Sequence, residues 1–223
     1  MALDWSRATV FTAAAFESCW EVLRLGETPW QLDPPRHGIT ATARHAFVAD
    51  VLAHLQAAGP ELAASLRLLA RPAWSVDLRL RAEGIVAGLA ACRGATGVFA
   101  VRHGSEIALL DITPAEAVGA VLGLLGPVHP GPGRPLRVAT ADGPMATEVQ
   151  AACRDVRMFG QLGASVAARD GHPMRRMPRV IGFHRTGTGD YRSVRADPAT
   201  VILEPATRPR LAADLDGLLA AAR

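Results

Sequence analysis

Apolar residues recur at two spacings along the chain, and each spacing predicts one kind of element. Between Phe16 and Leu23 they fall on one face of a helix, which we expect to begin after Thr12 and to end at Gly26. A short extended run at residues 8–11 precedes this helix. The same helical spacing predicts further helices at residues 40–58, 62–69, 114–125, 145–156, 159–169 and 209–222.

A period of two marks the predicted strands. Residues 75–81 alternate between apolar and polar side chains, as expected of a strand with one solvated face. Apolar runs follow at residues 85–92, 98–103 and 106–112, and connections of hairpin length separate them. These four segments predict an antiparallel meander. Further strands are predicted at residues 136–140, 180–185, 191–195 and 201–204, with a hairpin turn at residues 187–190.

A segment rich in glycine and proline, residues 127–135, divides the chain near its middle. The predicted elements on each side of it end with a helix. The segment that starts at Thr113 is similar to the one that starts at Thr207 in the positions of its glycine and leucines. We therefore expect an α+β fold with an antiparallel sheet, in which residues 1–126 and 136–223 form two pseudosymmetric halves of a single domain.

Composition narrows the classes of function. All 24 basic residues are arginine, and 21 acidic residues are interspersed with them, which leaves a net charge of +3. Such a mixed surface is not typical of a nucleic-acid interface. The three cysteines lie far apart and lack metal-ligand spacing, so we expect buried, reduced thiols and no metal site. Because the chain has no apolar run of membrane-spanning length and no signal-peptide pattern, we expect a cytoplasmic protein without membrane insertion.

No catalytic constellation stands out in the sequence. Ser165 lies inside a predicted helix, not at the strand-to-helix turn that a hydrolase nucleophile occupies. His37, His45 and His54 do not share a helix face, which argues against a metal site. No glycine-rich segment carries a P-loop lysine, since the chain contains no lysine. Two alternatives stay open, a nucleic-acid-binding module that uses the arginines of residues 169–195 and a hydrolase that uses Ser165 or a histidine.

Several ordered segments resemble motifs of the EspG family, the cytosolic chaperones of the ESX (type VII) secretion pathway. They are LGETPWQL at residues 25–32, GIT at 38–40, LLARP at 68–72, VDLR at 76–79, FGQLGA at 159–164 and GDY at 189–191. Two features depart from the family pattern. Trp30 is bulkier than the aliphatic residue expected at its position, and the helical region after Gln56 is short.

The resemblance implies a central antiparallel sheet flanked by helical bundles, and a binding protein without enzymatic activity, metal or cofactor. It implies that the partner is a PE–PPE-like heterodimer, and that the chaperone covers the apolar tip of the PPE subunit so that the pair stays soluble and competent for secretion. The binding surface is implied in a sheet loop at residues 79–85 and in a C-terminal helical bundle at residues 154–172. The candidate partner-binding residues are Arg79, Arg81, Glu83, Gly84, Ile85, Arg154, Arg157, Met158, Gln161, Arg169 and His172.

Core packing is the alternative role for three apolar residues of the second region, Met158, Phe159 and Leu162. Trp30 and Leu32 are expected to anchor the N-terminal helix to the core, because they follow that helix in an extended segment. Nucleic acid is not expected as a partner, and weak homo-oligomerisation stays open.

Overall fold

A computed structural model of the 223-residue chain describes residues 3–32, 59–139, 154–168 and 172–221. Four α-helices lie in these parts: α1, Ala13–Val22; α2, Gly59–Ala70; α3, Ala117–Gly123; and α4, Arg208–Ala220. Short 3₁₀ helices occupy Trp5–Arg7 and Pro114–Glu116. The helix predicted at residues 40–58 and most of the one predicted at 145–156 lie outside the described residues.

Eleven strands form one sheet in the described parts of the chain. They are β1, Thr9–Thr12; β2, Trp74–Arg81; β3, Ile85–Arg93; β4, Thr96–His103; β5, Glu106–Ile112; β6, Leu136–Ala139; β7, Val156–Ala167; β8, Met174–Arg176; β9, Ile181–Thr186; β10, Gly189–Asp197; and β11, Thr200–Pro205. Their order is β1-β5-β4-β3-β2-β7-β9-β10-β11-β6, with β8 beside β7. All these neighbours pair antiparallel, so the predicted antiparallel sheet, the meander β2–β5 and the β9–β10 hairpin are confirmed.

The helix predicted at residues 159–169 is wrong, because this segment belongs to β7 in the middle of the sheet. Phe159, Leu162 and Val166 happen to fall at helical spacing, but the pairing with neighbouring strands overrides this local signal. β7 pairs with β2 over eight consecutive residues and with β9 on its other side. Its two central glycines, Gly160 and Gly163, also disfavour a helix.

Helices cover both faces of the sheet. On one face, α3 and α4 pack on a core that includes Leu78, Phe99 and Phe183. On the other face, α1 and α2 cover β3, β4 and β5 around a second core. Apolar side chains alternate between these two cores along β3, where Leu89 belongs to the second core and Ala90 to the first.

The helix starts are capped as the sequence predicts. The hydroxyl of Thr12 accepts a hydrogen bond from the amide of Ala15 at 3.2 Å. Thr113 and Glu116 form a capping box before α3, in which the carboxylate of Glu116 accepts from the amide of Thr113 at 2.7 Å. These contacts satisfy amides that the first turn of a helix leaves without partners.

The segment after α1 follows the prediction only in part. Leu32 is fully buried in the second core, which confirms its role as an anchor. Trp30 is 53% exposed, so the expectation that it anchors the helix to the core is wrong. Its ring instead lies 4.6 Å from the guanidinium carbon of Arg176 on β8. The large ring of Trp30, which departs from the family pattern, thus makes a cation–π contact with Arg176.

Two cysteines lie in the described parts of the chain, and both are buried free thiols, as expected. Burial raises the pKa of Cys19 to about 11 and that of Cys92 to about 12. Both thiols therefore stay protonated at neutral pH and serve as small apolar side chains. Cys153 lies outside the described residues.

The segment that links the two parts of the chain is held by Asp190 on β10. This carboxylate is 1% exposed, pairs with Arg185 at 2.8 Å and accepts a hydrogen bond from the amide of His129 at 2.9 Å. Gly131 lies against the ring of Tyr191, where a Cβ would come within 2.3 Å of the ring. The linker is thus fixed to the sheet by buried polar contacts.

Candidate partner-binding surface

The two separate regions implied by the sequence meet where β2 ends. Arg81 is the last residue of β2 and pairs with Ile85 on β3 and with Phe159 on β7. Two positions earlier, Arg79 pairs with Gln161. These residues lie on one face of the sheet, because every second position along a strand points the same way. They line a shallow cavity of about 230 Å³ together with Leu80 and Gly160.

Phe159 is not among the candidate residues, and its alternative role in core packing is wrong. Its side chain is 49% exposed, which is unusual for a phenylalanine within a central strand. Leu162 is fully buried, and Met158 is half-buried against the same core, so core packing is confirmed for Leu162 and favoured for Met158. In a helix, Met158, Phe159 and Leu162 would lie on one face. In strand β7, Phe159 lies on the opposite face from the other two, so this difference appears only when the segment is recognised as a strand.

The remaining candidate residues lie at different distances from this cavity. Glu83 and Gly84 are exposed in the turn between β2 and β3, next to Arg81. Arg154 and Arg157 are exposed just before and at the start of β7, and Arg157 pairs with Asp155 at 3.0 Å.

His172 precedes β8 and lies near the opposite end of β7, about 25 Å from Phe159 at the rise of an extended strand. The structure therefore does not bring it to the cavity. Arg169 lies outside the described residues. The resemblance implied a C-terminal helical bundle at residues 154–172. The described part of this stretch contains no helix, and most of it forms strand β7.

A second cavity of about 370 Å³ extends the surface across β9 and β10 and shares Phe159, Gly160 and Gln161 with the first. Gly182 makes room for the polar pair at its base, since a Cβ there would lie 2.2 Å from the hydroxyl of Ser193. His184 lies 3.0 Å from that hydroxyl through its Nε2. Burial lowers the pKa of His184, so its ring is neutral at pH 7. The sequence gives no signal for this pair, because it forms across strands.

The surface has no catalytic arrangement among the described residues. Ser165 is 3% exposed and lies between β2 and β8, and no described histidine hydrogen-bonds to it. No group of three metal-ligating side chains occurs in the described parts of the chain. Phe159 is instead an exposed apolar side chain with Arg79, Arg81 and Gln161 around it, an arrangement suited to contact with another surface.

Comparison with known proteins decides the family. A family model described as the EspG family matches residues 12–217. The chain belongs to the EspG family. A solved structure of the Mycobacterium tuberculosis type VII secretion system chaperone EspG5, in complex with a PE25-PPE41 dimer, has a similar fold, with a TM-score of 0.70. That match has 16% sequence identity and covers 95% of this chain and 95% of that chain. Among curated proteins, none matches this sequence.

One polar cluster borders the surface of this EspG-family protein. Asp77 on β2 is 2% exposed, and Arg176 donates to its two carboxylate oxygens at 2.7 and 3.0 Å. Gly163 leaves space for the guanidinium, since a Cβ there would lie 2.3 Å from it. Burial raises the pKa of Asp77, although Arg176 and Gln31 act in the opposite direction. The cluster ties the segment after α1 to the centre of the sheet.

Finally, no helix in the described residues is both long and apolar enough to cross a bilayer.

Proposed function

We propose that this EspG-family protein is a cytoplasmic chaperone, without enzymatic activity, that binds the tip of the PPE subunit in a PE–PPE-like heterodimer. It keeps the pair soluble and competent for type VII secretion. The exposed side chain of Phe159 carries this proposal, because contact of a large apolar group with water is unfavourable and its burial against a partner stabilises a complex.

The charges around Phe159 fit the rim of such an interface. Arg79 and Arg81 lie on one side, and Glu83 lies in the adjacent turn. Binding energy then comes from the apolar centre, while the charges around it select the orientation and the partner. The solved complex of EspG5 with PE25-PPE41 supports a partner of this class, as a likeness of fold and family.

The strand order supports pseudosymmetric halves as part of the proposal. From the centre of the sheet outward, β2-β3-β4-β5-β1 on one side corresponds to β7-β9-β10-β11-β6 on the other. In each half the first strand pairs with the last, and a helix follows that last strand. We propose that residues 1–126 and 136–223 are related by a pseudo-twofold axis, with the candidate surface at their junction.

The nucleic-acid alternative has no such support. Three arginines of the dense stretch, Arg176, Arg185 and Arg192, are held in ion pairs with carboxylates. They are therefore not available as a row of phosphate contacts.

Phe159→Ala is the decisive variant. We expect it to weaken binding to a PE–PPE pair from the same genome by at least about 30-fold, the size of a hot-spot truncation near 2 kcal/mol. Isothermal titration calorimetry after co-expression trials measures the affinity. Val156→Ala is the matched control, since Val156 is also exposed on β7 and lines neither cavity.

Reversal of the rim charges, Arg81→Glu with Glu83→Arg, should weaken the same binding while the melting temperature stays within about 2 °C. Full affinity in the Phe159→Ala protein would refute the placement of the interface. Retention on DNA that falls steeply with salt, without binding to any PE–PPE pair, would refute the function itself.

A further inference from the structure

A larger cavity lies on the opposite face of the sheet from Phe159. Its volume is about 680 Å³, and it runs between α4 and strands β9, β10 and β11. Ile181, Val194 and Ile202 form its sheet side, and they alternate with Gly182 and Ser193 of the candidate surface. We call this cavity the α4 groove.

Small side chains on α4 open the groove. Ala213, Gly217 and the C-cap residue Ala221 recur at four-residue spacing along the side of α4 that lines it. A Cβ built at Gly217 would meet nothing within 4 Å. From Arg210 to Ala221 the groove follows α4 for about 16 Å at the rise of an α-helix, which is the length of some 11 helical residues.

The base of the groove is neutralised. Arg192 is 2% exposed and donates to Glu204 at 2.7 Å and to Asp214 at 2.6 Å. Both carboxylates are thereby used within the protein. Because the guanidinium of Arg192 already donates to these two carboxylates, it has little capacity to bind a ligand.

The rim of the groove carries the excess charge. Arg175, Arg179 and Arg195 are exposed and form no ion pair within residues 3–32, 59–139, 154–168 and 172–221. Arg210 is 57% exposed and makes long contacts of 3.6 Å to Glu204 and 3.8 Å to Asp214. Five arginines against two carboxylates give the lining a net charge of +3, which equals that of the whole chain.

We propose that the α4 groove is a second docking site, which binds an acidic amphipathic segment of a protein partner. The partner's apolar side chains enter between α4 and the sheet, and its carboxylates pair with the arginines of the rim. Arg179 and Arg195 also line the second cavity of the candidate surface, so the two sites adjoin at this edge of the sheet. Phe159 and the apolar floor of the groove nevertheless lie on opposite faces, and we expect the groove to bind its partner without displacing a partner from Phe159. The chaperone can then carry its cargo and contact a further protein at the same time.

Fluorescence polarisation with a designed probe tests this proposal on the full chain. The probe is a fluorescein-labelled peptide of about 15 residues that combines glutamate and leucine in a helical repeat. The control peptide replaces each glutamate with lysine. We expect micromolar binding of the acidic probe, weakened by added salt, and at least about tenfold weaker binding of the lysine peptide.

Two variants locate the binding. Gly217→Trp fills the groove and Arg175→Glu reverses a rim charge. Each variant should bind the acidic probe at least about tenfold more weakly than the parent protein. The matched controls are Gly119→Trp, an exposed helical glycine on α3 with open space around it, and Arg67→Glu, an exposed arginine of α2 on the other face of the sheet. Both controls should bind the probe like the parent protein.

Several outcomes would overturn the proposal: equal binding of the two peptides, unchanged affinity in both groove variants, or capture of anionic phosphatidylglycerol vesicles without binding of the peptide. Loss of PE–PPE binding in Gly217→Trp would overturn the independence of the sites. A protein that binds the acidic probe in the groove but no PE–PPE pair would refute the proposed function and leave this inference standing.

Discussion

The buried pair of Asp77 and Arg176 should respond very differently to the loss of each partner. The carboxylate is 3% exposed at its side chain, whereas the guanidinium is 27% exposed beneath Trp30. When Asp77 is replaced by Asn, Arg176 can turn toward solvent and keep its charge hydrated. When Arg176 is replaced by Met, the carboxylate of Asp77 has no such route.

The magnitudes follow from this asymmetry. We expect Asp77→Asn to cost about 1.5–3 kcal/mol, the value of hydrogen bonds to a charged group. Arg176→Met should cost about 3–5 kcal/mol, since it leaves a buried charge without a partner. The double variant should be more stable than Arg176→Met alone, because the uncompensated charge is gone.

The pH dependence gives a second signature. In Arg176→Met, burial without the guanidinium raises the pKa of Asp77 in the folded state further above its unfolded value of about 3.9. A raised carboxyl pKa means that stability is lost as pH rises through the interval between the unfolded and folded values. The variant should therefore be closer to the parent protein near pH 4.5 than at pH 7.

Urea unfolding followed by tryptophan fluorescence measures these free energies, since the chain has four tryptophans and Trp30 lies on Arg176. The double variant completes a thermodynamic cycle for the pair. If Asp77→Asn costs as much as Arg176→Met at pH 7, the argument from unequal exposure is wrong.

Two further predictions concern the backbone and can be read from melting temperatures. Gly131→Ala should destabilise by about 1–3 kcal/mol, because its Cβ would lie 2.3 Å from the buried ring of Tyr191; Gly119→Ala, in open space on α3, should instead stabilise by about 0.5–1 kcal/mol. Thr207→Ala should cost about 1 kcal/mol, since its hydroxyl accepts from the amide of Arg210 at the start of α4, and Thr207→Ser should retain most of that stability. Equal melting temperatures for Gly131→Ala and Gly119→Ala would contradict the packing argument, and a silent Thr207→Ala would contradict the cap.

The sequence predicts the elements whose determinants are local. The meander β2–β5 follows from alternation of side chains and short turns, and Gly94 and Gly104 adopt the positive φ angles that such turns need. The starts of α1 and of the helical turn at Pro114 follow from Thr12 and Thr113. In each case the residues that decide the structure lie within a few positions of one another.

The candidate surface depends on contacts that no local pattern contains. Arg81 and Phe159 are neighbours only because β2 pairs with β7, and the helical spacing within β7 concealed that pairing. The contact of His184 with Ser193 likewise needs the register of two strands. The family resemblance indicates the regions 79–85 and 154–172, and the pairing of β2 with β7 determines which of their residues lie next to one another.

The junction of β2 with β7 also has a consequence for the order of folding. In the described sheet, this pair joins the strands before the linker to those after it, and Trp74 finds Val166 roughly 90 positions later. Such a distant closure costs more chain entropy than the hairpins around it and comes late, after residues 74–112 can already pair among themselves. During synthesis, a chain that still lacks β7 has Arg79 and Arg81 without Phe159. The proposed binding surface is therefore complete only once translation has passed residue 167 and the central pairing has closed.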